Sequence, residues 1–167
     1  MQKLIHVLKE RRRGVLFVLK MIPSELWDWK PEQSMKTTAQ LAYHLASAPL
    51  SLFKGLQNQI SNKKTALNPE IENISSSVQG LTDLYEQGLL KLICFLEEHV
   101  EDAHEPKIQF FYQKQPSSIY KEVFDEIGHE WFHLGQLFTY LKQNRIPIDM
   151  GTYYGYKDPN QNIPPNE

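Results

Sequence analysis

A single cysteine, Cys94, stands in a chain of 167 residues. One thiol cannot close an internal disulfide, so the fold relies on packing and the composition fits a reducing compartment. No apolar run reaches the ~20 residues that a membrane span requires, and residues 1–6 lead into a charged stretch without a signal-peptide pattern. These absences point to the cytoplasm and to no membrane partner. Neither sign of charge is in excess: 18 Lys and Arg face 20 Asp and Glu, a formal net charge of −2. That balance gives no electrostatic pull toward nucleic acid, and no stretch is basic enough to track phosphates. The short run Arg11-Arg12-Arg13 reads as a solvated helix face. Also missing are a glycine-rich phosphate loop, a Gly-x-Ser-x-Gly elbow, a Cys-x-x-Cys pair, internal repeats and low-complexity tracts.

Apolar residues make up 41% of the chain and charged residues 23%, proportions of a soluble globular protein. The length suits one domain, which buries roughly 70% of the surface its unfolded chain exposes. A first helix is expected over about residues 2–21, with Leu4, Leu8, Val15, Leu19 and Ile22 on one face, an interruption at Arg11, and Pro23 as the stop. The connector 24–36 holds Trp27, Trp29 and Pro31 and reads as a packed loop. A second helix opens near Thr37, whose spacing to Gln40 is that of a capping box. It carries a stripe of Leu41, Leu45, Ala48, Leu52 and Leu56, and Pro49 predicts a kink one turn after His44.

The polar segment 61–75 reads as a long crossover loop. A third helix follows from about Ser76, with capping-box spacing to Gln79, and runs to about Val100. Cys94, inside Leu92-Ile93-Cys94-Phe95-Leu96, is expected to pack in the core. Residues 108–112 suit a short extended piece. Pro116 and Ser117 introduce a fourth helix that ends near Asn144, before Pro147. From Asp149 onward the chain is rich in Gly, Tyr, Pro and Asn and is expected to be a loop or a surface-hugging arm. Four helices with almost no strand signal give an all-α four-helix bundle over 1–150 and an irregular C-terminal tail over 151–167. The connectors exceed the 2–8 residues usual between antiparallel bundle neighbours, so some helix pairs run parallel through crossovers.

The chemistry is carried by histidines. His129 and His133, at i and i+4, share a helical face and can reach one ion. The main apolar stripe of that helix is expected at Phe124, Ile127, Trp131, Leu134 and Phe138, with the histidines beyond its edge beside Leu137 and Tyr140. Such a pair alone is as often a packed or exposed pair as a ligand pair. His44 alters the balance, because it flanks the apolar stripe of the second helix. Bundle helices pack 8–10 Å apart and metal–nitrogen bonds are about 2.0–2.1 Å, so imidazoles from two helices can meet at one ion. Three neutral imidazoles suit one divalent metal ion, Zn²⁺, Ni²⁺ or Fe²⁺, and leave an open coordination position.

The string His129-Glu130-x-x-His133 also matches the zinc-peptidase motif, in which the Glu is the general base. We read the match as accidental, because no His follows His133 and the later acids, Asp149, Asp158 and Glu167, lie in the tail. Glu126 and Glu130 each precede a histidine by three residues. Each is either an acceptor that orients an imidazole or an ordinary surface carboxylate. His6, His99 and His104 look structural, with His99 placed to cap helix carbonyls.

Two segments carry a family likeness: Thr38-Ala39-Gln40-Leu41-Ala42-Tyr43-His44-Leu45-Ala46, and His129-Glu130-Trp131-Phe132-His133-Leu134-Gly135-Gln136-Leu137, followed by a helix end and Pro147. Over about residues 1–150 the sequence resembles the DinB/YfiT-like, or damage-inducible DinB-like, metal-binding bundles. The resemblance implies up-down-down-up helix order, a three-histidine metal site at His44, His129 and His133, and a homodimer. It does not imply one reaction: some relatives are transferases that use bacillithiol, mycothiol or glutathione. Two readings therefore stand. One is a metal-dependent thiol S-transferase or related hydrolase whose partner is a low-molecular-weight thiol or other small molecule, with Tyr43, Gln136 and Tyr140 lining the pocket. The other is a non-catalytic metal-binding stress protein, a sensor or a buffer. No catalytic residue is assigned in either.

Overall fold

In the computed structural model, residues 1–60, 77–99, 107–110 and 113–154 are described. They form four long helices: α1 (Gln2–Lys20), α2 (Thr38–Ile60), α3 (Val78–His99) and α4 (Ile119–Gln143). A two-residue strand β1 (Lys107–Ile108) pairs antiparallel with β2 (Ser117–Ser118) just before α4. A short helix α5 (Met150–Tyr154) follows α4.

Local chemistry sets the helix ends. The Thr37 capping box forms: Gln40 N donates to Thr37 Oγ1 at 3.2 Å, and Thr37 N donates to Gln40 Oε1 at 3.0 Å. At α3 the cap is Ser77, whose Oγ accepts from Gly80 N at 3.1 Å. The expected box on Ser76 is thus displaced by one residue, Ser76 itself lying outside the described residues, and Gln79 instead donates to Asp83 Oδ1 at 2.7 Å. Ser118 caps α4 by accepting from Lys121 N. The far end of α4 closes through Arg145 at φ 60°, with Arg145 N bonded to the Lys142 carbonyl and Ile146 N to the Leu141 carbonyl. That pairing satisfies two carbonyls the helix leaves over.

Each long helix packs chiefly on two others: α3 on α2 and α1, and α4 on α2 and α1. Directions follow from residue pairs. Gly88 abuts Leu50 and Phe95 meets Phe53, so α2 and α3 run parallel. Lys9 pairs with Glu97 and Arg12 with Glu86, so α1 and α3 are antiparallel. His44 meets His133 while Tyr140 reaches back to Lys36, so α4 opposes α2. The order is up-down-down-up, and the parallel α2–α3 pair is the one that long connectors predict. The expected crossover loop over 61–75 lies outside the described residues.

Four expectations change. Cys94 is exposed: in its run the buried residues are Leu92, Ile93, Phe95 and Leu96, and at about 100° per residue Cys94 falls in the gap between them. On α4 the buried face is Ile119, Val123, Ile127, Glu130, Leu134, Leu137 and Leu141, so Phe124 and Trp131, expected in the stripe, are exposed. Large aromatic residues biased that expectation, because the true face has a carboxylate at its centre. Past Asp149 the chain is helical over α5, and Tyr153 is buried on the bundle, its ring lying where a side chain on Gly14 would sit. The expected extended piece over 108–112 is reduced to β1, with residues 111–112 outside the described set.

At Gly88, α3 approaches the backbone of α2 closely. A Cβ there would lie 2.8 Å from the backbone nitrogen of Leu50, the residue after Pro49 inside α2. Backbone cannot step aside cheaply, so Gly88→Ala should destabilise the fold by about 1–3 kcal/mol despite the better helix propensity of Ala. Gly128 on α4 has open space at the same position, so Gly128→Ala should stabilise by about 0.5–1 kcal/mol. Chemical denaturation of both variants checks the pair; a stabilising Gly88→Ala would contradict the close approach.

Candidate metal centre

The start of α2 is fixed before it meets α4. Thr38 donates to the Trp29 carbonyl from both N (2.9 Å) and Oγ1 (3.1 Å). Tyr140 on α4 donates its hydroxyl to the Lys36 carbonyl at 3.2 Å, and its ring meets Trp29 edge-on at 5.4 Å. Nearly two turns into α2, His44 then faces the middle of α4.

The three histidines meet there. His129 Nε2 lies 3.0 Å from His44 Nε2 and 3.0 Å from His133 Nε2. The rings stand nearly perpendicular to one another, at 82° to 87°, like blades around a common point. His133 is buried, whereas His44 and His129 are partly exposed, so the cluster reaches solvent on one side.

Proton placement decides what this cluster is. His133 Nδ1 lies 2.7 Å from Gln136 Oε1, an oxygen that only accepts, so the ring proton is on Nδ1. His129 Nδ1 faces Glu126 Oε2 at 3.5 Å, long for a hydrogen bond, but the carboxylate still draws the proton to that side. With the proton on Nδ1 of each neutral ring, the Nε2 lone pairs face each other at 3.0 Å, an arrangement that suits a cation between them. Tetrahedral ligands on bonds of 2.0–2.1 Å sit about 3.3 Å apart, so a shift of about 0.3 Å accommodates an ion. These three side chains can hold a metal ion, and three ligands leave a fourth position open.

Electrostatics favour the neutral, ligating form at two of the three. His44 is pushed down to about 4, mainly by burial, then by His133, His129 and Lys36. Burial also lowers His133, against the Gln136 hydrogen bond. His129 is raised, chiefly through its contact with Glu126 and against burial. His129 is thus the ligand from which an entering ion displaces a proton.

Sequence reasoning left Glu126 and Glu130 equivalent, and the structure separates them. Glu126 backs His129. Glu130 is 1% exposed and faces the interior, where Tyr85 on α3 donates to its Oε1 at 2.8 Å and Arg11 Nη2 on α1 lies 3.8 Å away. Burial raises it to about 7, against the pull of Arg11 and Tyr85. It is neither a surface carboxylate nor an acceptor for an imidazole. Arg11, expected on a solvated face, is buried; Arg12 pairs with Glu86 at the surface, and Arg13 donates to the Tyr154 carbonyl. The missed signal was the position of Arg11, in register with Leu4, Leu8 and Val15 on the apolar face. Of the residues expected to line a pocket, Gln136 orients His133, Tyr140 ties α4 to Lys36, and the Tyr43 hydroxyl is buried without a partner among the described residues. His6 and His99 are exposed, with His99 Nδ1 3.1 Å from the Phe95 carbonyl; His104 lies outside the described residues.

No family model matches the chain, and no curated protein matches it by sequence. Solved structures do match. A DinB-like protein from Bacillus cereus superposes with a TM-score of 0.71 at 15% identity, over 89% of this chain and 97% of that one. A DinB-like protein from Bacillus subtilis superposes at 0.63 with 16% identity, over 87% and 96%. The chain therefore has the DinB-like fold.

Two outcomes follow. Metal affinity should fall as pH drops through the raised pKa of His129, because the proton it takes up competes with the ion; a chelator-competition titration across pH reads this, and a flat profile would remove His129 from the ligand set. Glu130→Ala strands Arg11 in the core and should destabilise by about 3–5 kcal/mol, whereas Glu126→Ala should leave the fold largely intact and weaken metal binding by at most about 10–100-fold. Denaturation and metal titration of both variants check the division of roles.

Proposed function

We propose that this protein is a DinB-like metal protein in which His44, His129 and His133 hold one divalent ion, Zn²⁺, Ni²⁺ or Fe²⁺, and that it acts as a thiol S-transferase or related hydrolase. The observation that carries the reading is the convergence of three imidazoles: His129 Nε2 lies 3.0 Å from His133 Nε2 and 3.0 Å from His44 Nε2 of α2. When bound, the ion supplies Lewis acidity that lowers the pKa of a thiol or water at its open position. The chain's own residues do the rest. Gln136 and Glu126 hold the two α4 imidazoles in the ligating tautomer. Phe132, 62% exposed and edge-on to His133 at 5.1 Å, offers an apolar rim for a small-molecule partner. The partly exposed His44 and His129 favour an open site over a sealed one. The partner on this reading is a low-molecular-weight thiol in the cytoplasm and not nucleic acid, and the assembly is a homodimer.

A second reading is a stress-responsive metal sensor or buffer without turnover, which needs the same three histidines and no substrate beside them.

The test begins with elemental analysis of untagged protein, where about one ion per chain is expected. His133→Ala should lose that ion together with any stabilisation it gives, since a ligand that binds only the native state adds RT ln(1 + [L]/Kd) to stability. A thiol-transfer screen with and without chelator then separates the readings: chelator-sensitive turnover supports the enzyme, and metal without turnover supports the sensor or buffer. Undiminished metal in His133→Ala would overturn both.

A further inference from the structure

The inward face of α4 is packed, yet its outward side is also rich in large apolar groups. Among the described residues nine large hydrophobic side chains are exposed, and six of them stand on α4 (Tyr120, Phe124, Trp131, Phe132) or α5 (Met150, Tyr154). At 100° per residue, Phe124, Trp131, Gly135 and Lys142 fall within about 40° of one another and make one outward stripe. Beside it, Trp131, Gly135, Phe138, Lys142, Met150 and Tyr153 line a groove of about 280 Å³. A helix that is apolar on more than its core face is built to be covered there too. Contiguous exposed apolar surface of several hundred Å² marks a docking surface.

The area matches an interface between two proteins. An aromatic side chain buries roughly 150–250 Å² when covered, and these five aromatic residues are each about half exposed, so they present roughly 500 Å². Covering that surface on both of two copies removes about 1,000 Å² from water, the least that a specific interface needs.

The stripe is also complementary to itself. In a twofold contact, residue i meets j while j meets i. Trp131 and Gly135 lie two residues either side of position 133, and Phe124 and Lys142 nine residues either side. Antiparallel copies of α4 meeting at that level set each Trp131 over the other copy's Gly135 and each Lys142 over the other copy's Phe124. Gly135 supplies the hollow, since a Cβ there would meet nothing within 4 Å. The stripe carries no carboxylate, so Lys142 is free to lay its stem and charge over an aromatic ring.

We propose that this face of α4 and α5 is the contact between two copies of this chain, packed α4 on α4 and antiparallel about a twofold axis near residue 133. The inference rests on the homodimer of the proposed function and gives it a surface; it needs neither the ion nor a reaction.

Sedimentation of the full chain from low to high micromolar concentration should show a reversible dimer. Trp131 also covers Arg11 and is left intact. Gly135→Gln fills the hollow without meeting anything in its own chain, and Phe124→Ser changes a side chain that is 59% exposed. Both variants should keep the wild-type helix content by circular dichroism, and each should weaken dimerisation by about tenfold or more. In a Cys94→Ser background, Gly135→Cys should join two chains through a short bismaleimide. The unmodified sequence, whose one thiol is Cys94 on α3, should not be joined. Dimerisation should be the same in chelator-treated protein and in His133→Ala, so a failed metal reading and a failed contact are told apart. A chain that stays monomeric, as it would if residues 155–167 or a different protein covered this face, would overturn the proposal. So would a dimer indifferent to both substitutions.

Discussion

The register of α2 against α4 is the constraint on which the histidine cluster depends. These helices rise 1.5 Å per residue, so a slip of one turn would carry His44 about 5–6 Å from His129 and His133 and leave three unrelated imidazoles. The register is locked outside the cluster. Trp29 receives two hydrogen bonds from Thr38 and packs edge-on against Tyr140, and Tyr140 bonds the Lys36 carbonyl. The connector before α2 thus acts as a measured spacer between the end of α4 and the start of α2. That role explains why it is long and aromatic instead of a short turn.

How much of this was legible in the sequence depends on whether a signal is local. The Thr37–Gln40 cap and the helix stop before Pro147 are set by neighbours three or four residues away, and both appear close to where the pattern puts them. The histidine triad could be read because its members have few alternatives: an i, i+4 pair and one flanking His on another helix. Arg11 and Glu130 were misjudged for the opposite reason. Charged residues are counted as surface unless a partner is known, and each is the other's oppositely charged neighbour across 119 positions of sequence. Cys94 failed differently: an apolar run of five residues cannot bury every member on a helix, and only the phase set by α2 and α1 decides which one faces out. The capping serine of α3 could not be chosen from three consecutive serines by spacing alone.

The polar groups of α4 divide by neighbour. On the α2 side, His129 and His133 gather with His44, and His129 is partly open to solvent. On the interior side, Glu130 is enclosed and committed to Tyr85 and, more loosely, Arg11. Tyr85 stands on α3, the helix diagonal to α4, so this hydrogen bond crosses the middle of the bundle. Exchanging that polar bridge for a solvent-facing carboxylate would leave Tyr85, which is fully buried, with a hydroxyl and no acceptor.

This division also settles the peptidase resemblance on physical grounds. In a helix bearing His-Glu-x-x-His, the Glu lies about 60° around the axis from the second His, whatever the fold. Whether it acts as a base then depends on what occupies the space in front of it. A general base needs water and a reacting proton within hydrogen-bond reach. Here that space is filled by α1 and α3: Glu130 accepts from a phenol, faces a guanidinium, and is 1% exposed. Its raised pKa of about 7 comes from burial, so a value suited to base catalysis arises where no substrate can arrive. The helical spacing of the motif is kept, but the bundle has given its carboxylate to the core.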